Sequence, residues 1–316
     1  MLLYVLKRIL YSVPIILGVS ILTFALVFMA PGDPISAIAP ADAPEEVVQA
    51  LKISYGLDRP VPIQYVMWLQ KALTGDLGVS IASGRPVLGE IVTAFSHTLS
   101  IALIASFLGV GLGFILGGVA GFYQNSWIDR VATFLSLIGI SVPHYWLGLV
   151  LTIVFSVWLG WLPAMGAGPD SGTFFWDFEH IKFMLLPAIT MAVIPTGIIT
   201  RSVKSIVSEI LGREFLVSLR ARGLTDMAVL KHVIRNALPM VLAVVGLQIG
   251  YLMGGSILIE TVFSWPGTGF LLNIAIFQRD FPLLQGIVLI LCMFFVILNL
   301  VIDILQSILD PRIMRS

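Results

Sequence analysis

The chain has 316 residues, 58% of them hydrophobic and only 11% charged, and its mean hydropathy is +1.00. That balance excludes an ordinary soluble globular domain and points to an integral membrane protein. Eighteen Lys and Arg against eighteen Asp and Glu leave no net charge to draw in nucleic acid, and the lone cysteine, Cys292, excludes an internal disulfide and reads as a small buried hydrophobe.

Six runs are apolar and long enough to cross a bilayer, which takes about 20 residues of helix. They lie near 9–30, 98–123, 131–159, 183–200, 237–259 and 283–302. The first follows Lys7 and Arg8, and its uncharged stretch exceeds the roughly 7–15 residues of a signal-peptide core. It reads as an uncleaved anchor. Between it and the second run lies a polar segment, 31–97, too long for a plain turn. Turn signals (Pro31-Gly32-Asp33-Pro34, Gly56-Leu57-Asp58-Arg59-Pro60 and Gly75-Asp76-Leu77-Gly78) separate helical stretches at 45–53 and 61–73. The segment reads either as a cap over the membrane domain or as a contact surface for an external delivery protein.

The second run carries Gly109, Gly113, Gly117 and Gly121, and the fifth Gly246, Gly250 and Gly254, at four-residue spacing that suits close helix packing. The third run is overlong and contains Pro143, which predicts a kink or a part outside the hydrocarbon. The fourth contains Pro187 and Pro195. Polar groups inside spans are costly. Ser141 and His144 around Pro143, Thr190 and Thr196 in the fourth run and Gln248 in the fifth are therefore candidate pathway residues. Each can equally be satisfied by a neighbouring helix. Glu260 and Asp303 sit near span ends, where an interfacial charge needs no special explanation.

The fourth and fifth runs are separated by a basic stretch, about 201–236, holding Arg201, Lys204, Arg213, Arg220, Arg222, Lys231 and Arg235. Within it, 214–223 reads as a short helix closed by Gly223. Phe215, Leu216 and Leu219 share one face, with Arg213 and Arg220 opposite. An apolar knob on a basic back suits docking onto a soluble partner. Orientation follows from the placement of Lys and Arg. With the N-terminus inside, the inner segments hold Lys7, Arg8, Arg130, these seven residues, Arg312 and Arg315, while most acidic residues fall outside. Both termini and the basic stretch are expected in the cytoplasm. The organisation is then 1–97, an anchor helix plus external segment, followed by a 98–316 core.

No G-x-x-x-x-G-K-[ST] phosphate loop is present, so the chain is not expected to hydrolyse nucleotide or act as an enzyme. His97, His144, His180 and His232 lack metal-ligand spacing, and no G-x-S-x-G elbow supports a hydrolase.

In this order, Tyr4-Val5-Leu6-Lys7-Arg8, Pro31-Gly32-Asp33-Pro34, Gly56-Leu57-Asp58-Arg59-Pro60, Gly75-Asp76-Leu77-Gly78 and Gly84-Arg85-Pro86-Val87 resemble a known family. So do Phe263-Ser264-Trp265-Pro266-Gly267-Thr268-Gly269, Arg279-Asp280-Phe281-Pro282 and Asp310-Pro311-Arg312-Ile313. The family is that of the inner-membrane permease subunits of bacterial dipeptide and oligopeptide ABC importers. The central stretch resembles its "EAA" coupling loop: Arg220, Ala221 and Gly223 match, while Phe215, Val217, Ser218, Leu219 and Arg222 depart from the pattern.

The resemblance implies an all-α integral membrane protein with six transmembrane helices in the type I ABC importer fold, in the bacterial cytoplasmic membrane. It implies coupling to an ATPase through Glu214, Phe215, Leu216, Ser218, Leu219, Arg220, Ala221, Arg222 and Gly223. The implied partners are a homologous second permease chain, two ATP-binding subunits that carry ATP and Mg, and an extracytoplasmic solute-binding protein, besides membrane lipid. No cofactor or metal is implied for this chain. Peptide is the implied cargo, with nickel, glutathione or another small solute as alternatives. An autonomous secondary transporter or channel is the reading from a different class, which internal repeats would favour.

Overall fold

A computed structural model describes residues 2–29, 44–54, 58–169, 177–254 and 256–309. The 31–34 turn, Gly56 and Leu57, Asp170 and the 310–316 end with Arg312 and Arg315 lie outside the described residues. Among those described, every regular element is a helix, and strand-like pairing is limited to an isolated bridge between Val79 and Pro86.

The first helix, α1 (Leu2–Met29), runs along the last, α12 (Phe281–Leu309), and Arg8 pairs with Asp303 at 3.0 Å. Two amphipathic helices follow at the expected positions, α2 (Glu45–Ser54) and α3 (Val61–Leu73). α3 is pinned to the far half of α1. The Tyr65 hydroxyl lies 2.7 Å from Ser20 Oγ, and the Phe24 ring sits 5.5 Å from Tyr65 and 5.8 Å from Trp68.

The second span, α4 (Val87–Phe122), begins at Val87 rather than near 98. The expected division at 97/98 therefore falls inside one continuous helix. α4 packs on α7 (Phe178–Leu211) through its glycine ladder. A Cβ built on Gly109 would lie 3.1 Å from the Pro195 Cβ, on Gly113 2.7 Å from the Ile199 Cβ, on Gly117 2.5 Å from the Thr200 carbonyl oxygen, and on Gly121 2.8 Å from the Val207 Cβ. The backbones are too close for any side chain. On α9 (Asp226–Gly254), Gly250 instead makes room for a side chain, with a built Cβ 2.6 Å from the Phe295 ring of α12, whereas Gly254 faces open space.

Gly117 and its neighbour Gly118 provide a test of this packing. A Cβ on Gly118 would meet nothing within 4 Å. Gly117→Val is expected to lower the melting temperature and yield of detergent-purified protein, at a cost of about 1–3 kcal/mol or more for overpacking against rigid backbone. Gly118→Val should leave both unchanged.

The expected third span is a bent pair. α5 (Trp127–Ser141) and α6 (His144–Thr152), the latter extended by a π-helical turn at Ile153–Trp158, meet at 95° across Val142 and Pro143. Proline at the break removes a donor and clashes with the preceding turn. By contrast, α7 continues through Pro187 and Pro195 and beyond both ends of its expected range. It is the centre of the molecule. In its most apolar window 61% of residues are buried, against 33% or less in the other unbroken spans, and packing on α4, α5 and α9 sustains the helix past its prolines. Counting the bent pair, the described chain has up to six spans.

After α7 come the short α8 (Glu214–Ala221), then α9, which starts at Asp226 and stops at Gly254. Residues 257–259, expected in the fifth span, belong instead to the separate α10 (Ile257–Val262), followed by α11 (Thr268–Phe277) and α12.

Candidate functional site

α8 is held by both helices that flank it. Gly212 ends α7, with its N–H donating to the Ser208 and Glu209 carbonyls, and Arg213 reaches back to Glu209 at 2.7 Å. At the other end Gly223 adopts φ +77°, a left-handed cap natural for glycine, and the Leu224 N–H donates to the Leu219 carbonyl at 3.3 Å. The short helix closed by Gly223 is as the sequence reads.

Its apolar face is not. Leu216 is 2% exposed, and Phe215, Leu219 and Leu224 pack with it on a core built from Ile199, Val203, Val207 and Ile210 of α7 and Val229 and Val233 of α9. These residues hold α8 to this chain: of the face expected to serve as a docking knob, Leu216 is buried and Phe215 and Leu219 are half-buried within the chain itself. The outward face is Glu214, Val217, Ser218 and Ala221, with Arg222 and Gly223 beside it, all exposed. Of Arg220 only its place in the helix is described. Val217, 68% exposed, is the apolar residue that the candidate set omits. Its signal is the i, i+3, i+4, i+7 register of Glu214, Val217, Ser218 and Ala221, one apolar side chain in an otherwise polar or small stripe.

The five pathway candidates differ in their surroundings. Ser141 is exposed at the end of α5. His144 opens α6 and lines a small gap with Met191, Ile194, Tyr251, Leu252 and Ile259. Thr190 is fully buried, and its hydroxyl donates to the Leu186 carbonyl at 2.7 Å, so its own helix satisfies it. Thr196 is satisfied in the same way by Ala192. Gln248 differs: its Oε1 is buried with no hydrogen-bond partner among the described residues.

A second polar centre was not legible in the sequence. Glu260, in α10, is 0% exposed. Its carboxylate accepts from the Thr98 hydroxyl at 2.8 Å and from the Gly269 and Phe270 N–H groups at 2.7 and 3.0 Å, at the start of α11. Thr98 Oγ1 also accepts from the Thr268 N–H at 2.7 Å, so α4, α10 and α11 meet on one carboxyl group. Burial raises the Glu260 pKa from its usual value, opposed by the hydrogen bonds from Ser256, Phe270, Thr98 and Gly269. The interfacial charge expected at 260 is thus an internal crosslink. Asp280, also 0% exposed, plays the same part nearby, accepting from Ser80 Oγ at 2.5 Å and from the Ala82 and Leu283 N–H groups. Among the described residues, no group of three or more His, Cys, Asp or Glu is placed to hold a metal ion.

Comparison with known proteins places this arrangement. The family model for the binding-protein-dependent transport system inner membrane component matches residues 109–315, and that for the N-terminal part of such membrane components matches residues 1–102. The chain is 36% identical over 331 residues to the dipeptide transport system permease protein DppB of Alkalihalophilus pseudofirmus, covering 99% of each. It is 38% identical over 314 residues to the glutathione transport system permease protein GsiC of Salmonella choleraesuis, again covering 99% of each. It is 38% identical to a putative peptide transport system permease protein of Brucella abortus, covering 98% of each. In fold it is similar to a chain of the MetNI methionine ABC transporter in inward-facing conformations, with TM-score 0.58 and 17% identity, over 70% of this chain and 96% of that one.

Proposed function

Because the chain belongs to the binding-protein-dependent transport system inner membrane component family, we propose that it is one of two homologous permease chains of an ATP-driven importer, and that its cargo is a short peptide. Peptide cargo is supported by relatives whose names specify dipeptide, peptide and glutathione. The chain's sequence has no phosphate loop, so ATP and Mg belong to two separate ATP-binding subunits. A solute-binding protein delivers cargo at the opposite surface.

The observation that carries this reading is α8: a helix fastened through Leu216 to the two central helices, presenting Glu214, Val217, Ser218 and Ala221 outward. Such a helix passes displacement on, because its inner face is part of the core of α7 and α9. Closure of the ATP-binding subunits would move α8 and shift the spans from an inward-open to an outward-open packing, and hydrolysis would reverse it. Gln248 is the pathway candidate retained. A buried acceptor with no partner among the described residues suits a peptide N–H or a donor from the second permease chain.

The orientation that the coupling role requires, with α8 in the cytoplasm, is testable. In a Cys292-free background, single cysteines at Pro44 and Asp226, both exposed, should label with an impermeant maleimide from opposite sides of the membrane. Labelling of both from outside would overturn this orientation. The chain should also co-purify with ATP-hydrolysing subunits; a chain that transports alone would favour the secondary-transporter reading.

A further inference from the structure

The geometry points to Lys204 and Asp129 as a positioning pair that carries movement of the coupling helix into α5 and the bent α5–α6 unit, a role that rests on the importer reading above. Lys204 lies in the last part of α7, which ends at Leu211 and leads through Arg213 into α8. Its ammonium pairs with Asp129 and donates to Thr133 Oγ1 at 3.0 Å. Both partners are on α5.

Asp129 is itself fixed from several sides. It sits in the first turn of α5, where Ser126 caps the helix by accepting from the Asp129 N–H at 3.3 Å. One carboxylate oxygen accepts from the Asn125 N–H at 3.1 Å, and the other from the Thr133 hydroxyl at 3.1 Å. Asn125 holds φ 61°, a left-handed conformation that asparagine tolerates better than most residues, so the α4–α5 turn and the carboxylate are one unit. The two side chains are 29% and 11% exposed. Water reaches Lys204, so the pair's value lies in its direction and geometry more than in stability, and the chain should tolerate loss of one member.

The remaining α5–α7 contacts are of another kind. A Cβ on Gly197 would lie 2.6 Å from the Ser136 carbonyl oxygen, and one on Gly139 3.2 Å from Val193. These close apolar approaches set how near the helices lie. The Lys204–Asp129–Thr133 tie supplies register at the end of α5 nearest the coupling helix. At its other end α5 turns through 95° into α6, which begins at His144 beside Tyr251 and Leu252. Displacement of α8 therefore has a continuous rigid route through α7 and the tie to the bend.

The test uses the assembled complex of permease chains and ATP-hydrolysing subunits in proteoliposomes, supplied with the solute-binding protein and with a radiolabelled dipeptide as the probe. Three quantities are read: the amount of complex recovered, its ATP hydrolysis, and uptake. Lys204→Met keeps length without charge, and Lys204→Arg keeps the charge. The Met variant should assemble and hydrolyse ATP like wild type while uptake falls by roughly ten-fold, a size ordinary for residues that link sites without touching a ligand. The Arg variant should restore uptake. Uptake by the Met variant within about two-fold of wild type would overturn the role; so would a loss of uptake that only tracks loss of assembled complex. A wild-type complex with no ATP-dependent uptake would instead refute the importer reading and take this role down with it.

Discussion

Val217→Asp is expected to leave the chain folded and membrane-inserted while detaching the ATP-hydrolysing subunits. The side chain is 68% exposed and makes no part of the α7–α9 core, so the isolated chain should not register the change. In the proposed complex the same position would face an ATP-hydrolysing subunit. Loss of a central apolar anchor typically costs about 2 kcal/mol or more of binding free energy. A carboxylate forced into the contact without a partner adds a desolvation penalty. Association should weaken by at least roughly 30-fold, since each 1.4 kcal/mol is a factor of ten. Phe215→Ala is the contrasting variant. Because Phe215 packs against this chain's own core, its truncation should lower the melting temperature of the isolated chain, by loosening α8. Pull-down of the ATP-hydrolysing subunits beside a thermal-shift measurement separates the two. A Val217→Asp chain that binds them like wild type would remove this face of α8 from the interface.

Glu260→Ala should be among the most damaging substitutions on the opposite side of the molecule. It deletes the acceptor of the Gly269 and Phe270 N–H groups and of the Thr98 hydroxyl, which keeps only Thr268 Oγ1, 3.0 Å away, as an alternative. Hydrogen bonds to a charged group are worth about 1.5–3 kcal/mol each, and an unsatisfied buried donor costs about 1–3 kcal/mol. Neighbouring bonds of one network do not add independently, so the expectation is a loss of several kcal/mol, read as a collapse in yield or melting temperature. Glu260→Gln should be far milder, because its carbonyl oxygen can still accept from Gly269 and Phe270.

The Gln variant should also change the pH response. Burial raises the Glu260 pKa, so the folded chain holds this proton more tightly than the unfolded one. The contribution is fully present below the ordinary value of 4.5 and lost as pH rises through the folded value. Melting temperature against pH should show that decline in wild type, and Glu260→Gln should lack this component. Equal profiles would mean that folding does not raise the Glu260 pKa.

Much of the architecture was readable from local pattern. Turn residues bracket α2 and α3, and the glycines of α4 mark where another backbone approaches. Gly223 ends α8. What pattern does not report is the identity of a distant partner. The amphipathicity of α8 says that Phe215, Leu216 and Leu219 are covered, and either a partner protein or this chain's own α7 and α9 satisfies that demand equally. Only the fold shows that the cover is internal and that Val217 is the exposed residue. Glu260 is a similar case, since an acid near the end of an apolar run reads alike whether it meets water or Thr98, 162 residues away in sequence. Pro143 announces a break, but the 95° turn depends on what α6 packs against. Pro187 and Pro195 announce breaks that packing around α7 overrides.

Whether this chain moves peptide only when a partner burns ATP is measured directly by vesicle uptake. Purified complex in proteoliposomes, supplied with solute-binding protein and labelled dipeptide on the outside and ATP on the side of α8, should accumulate label. Replacing ATP by a non-hydrolysable analogue, or introducing Val217→Asp, should abolish accumulation. Equal uptake with and without hydrolysable ATP, or uptake by the chain alone, would contradict the account.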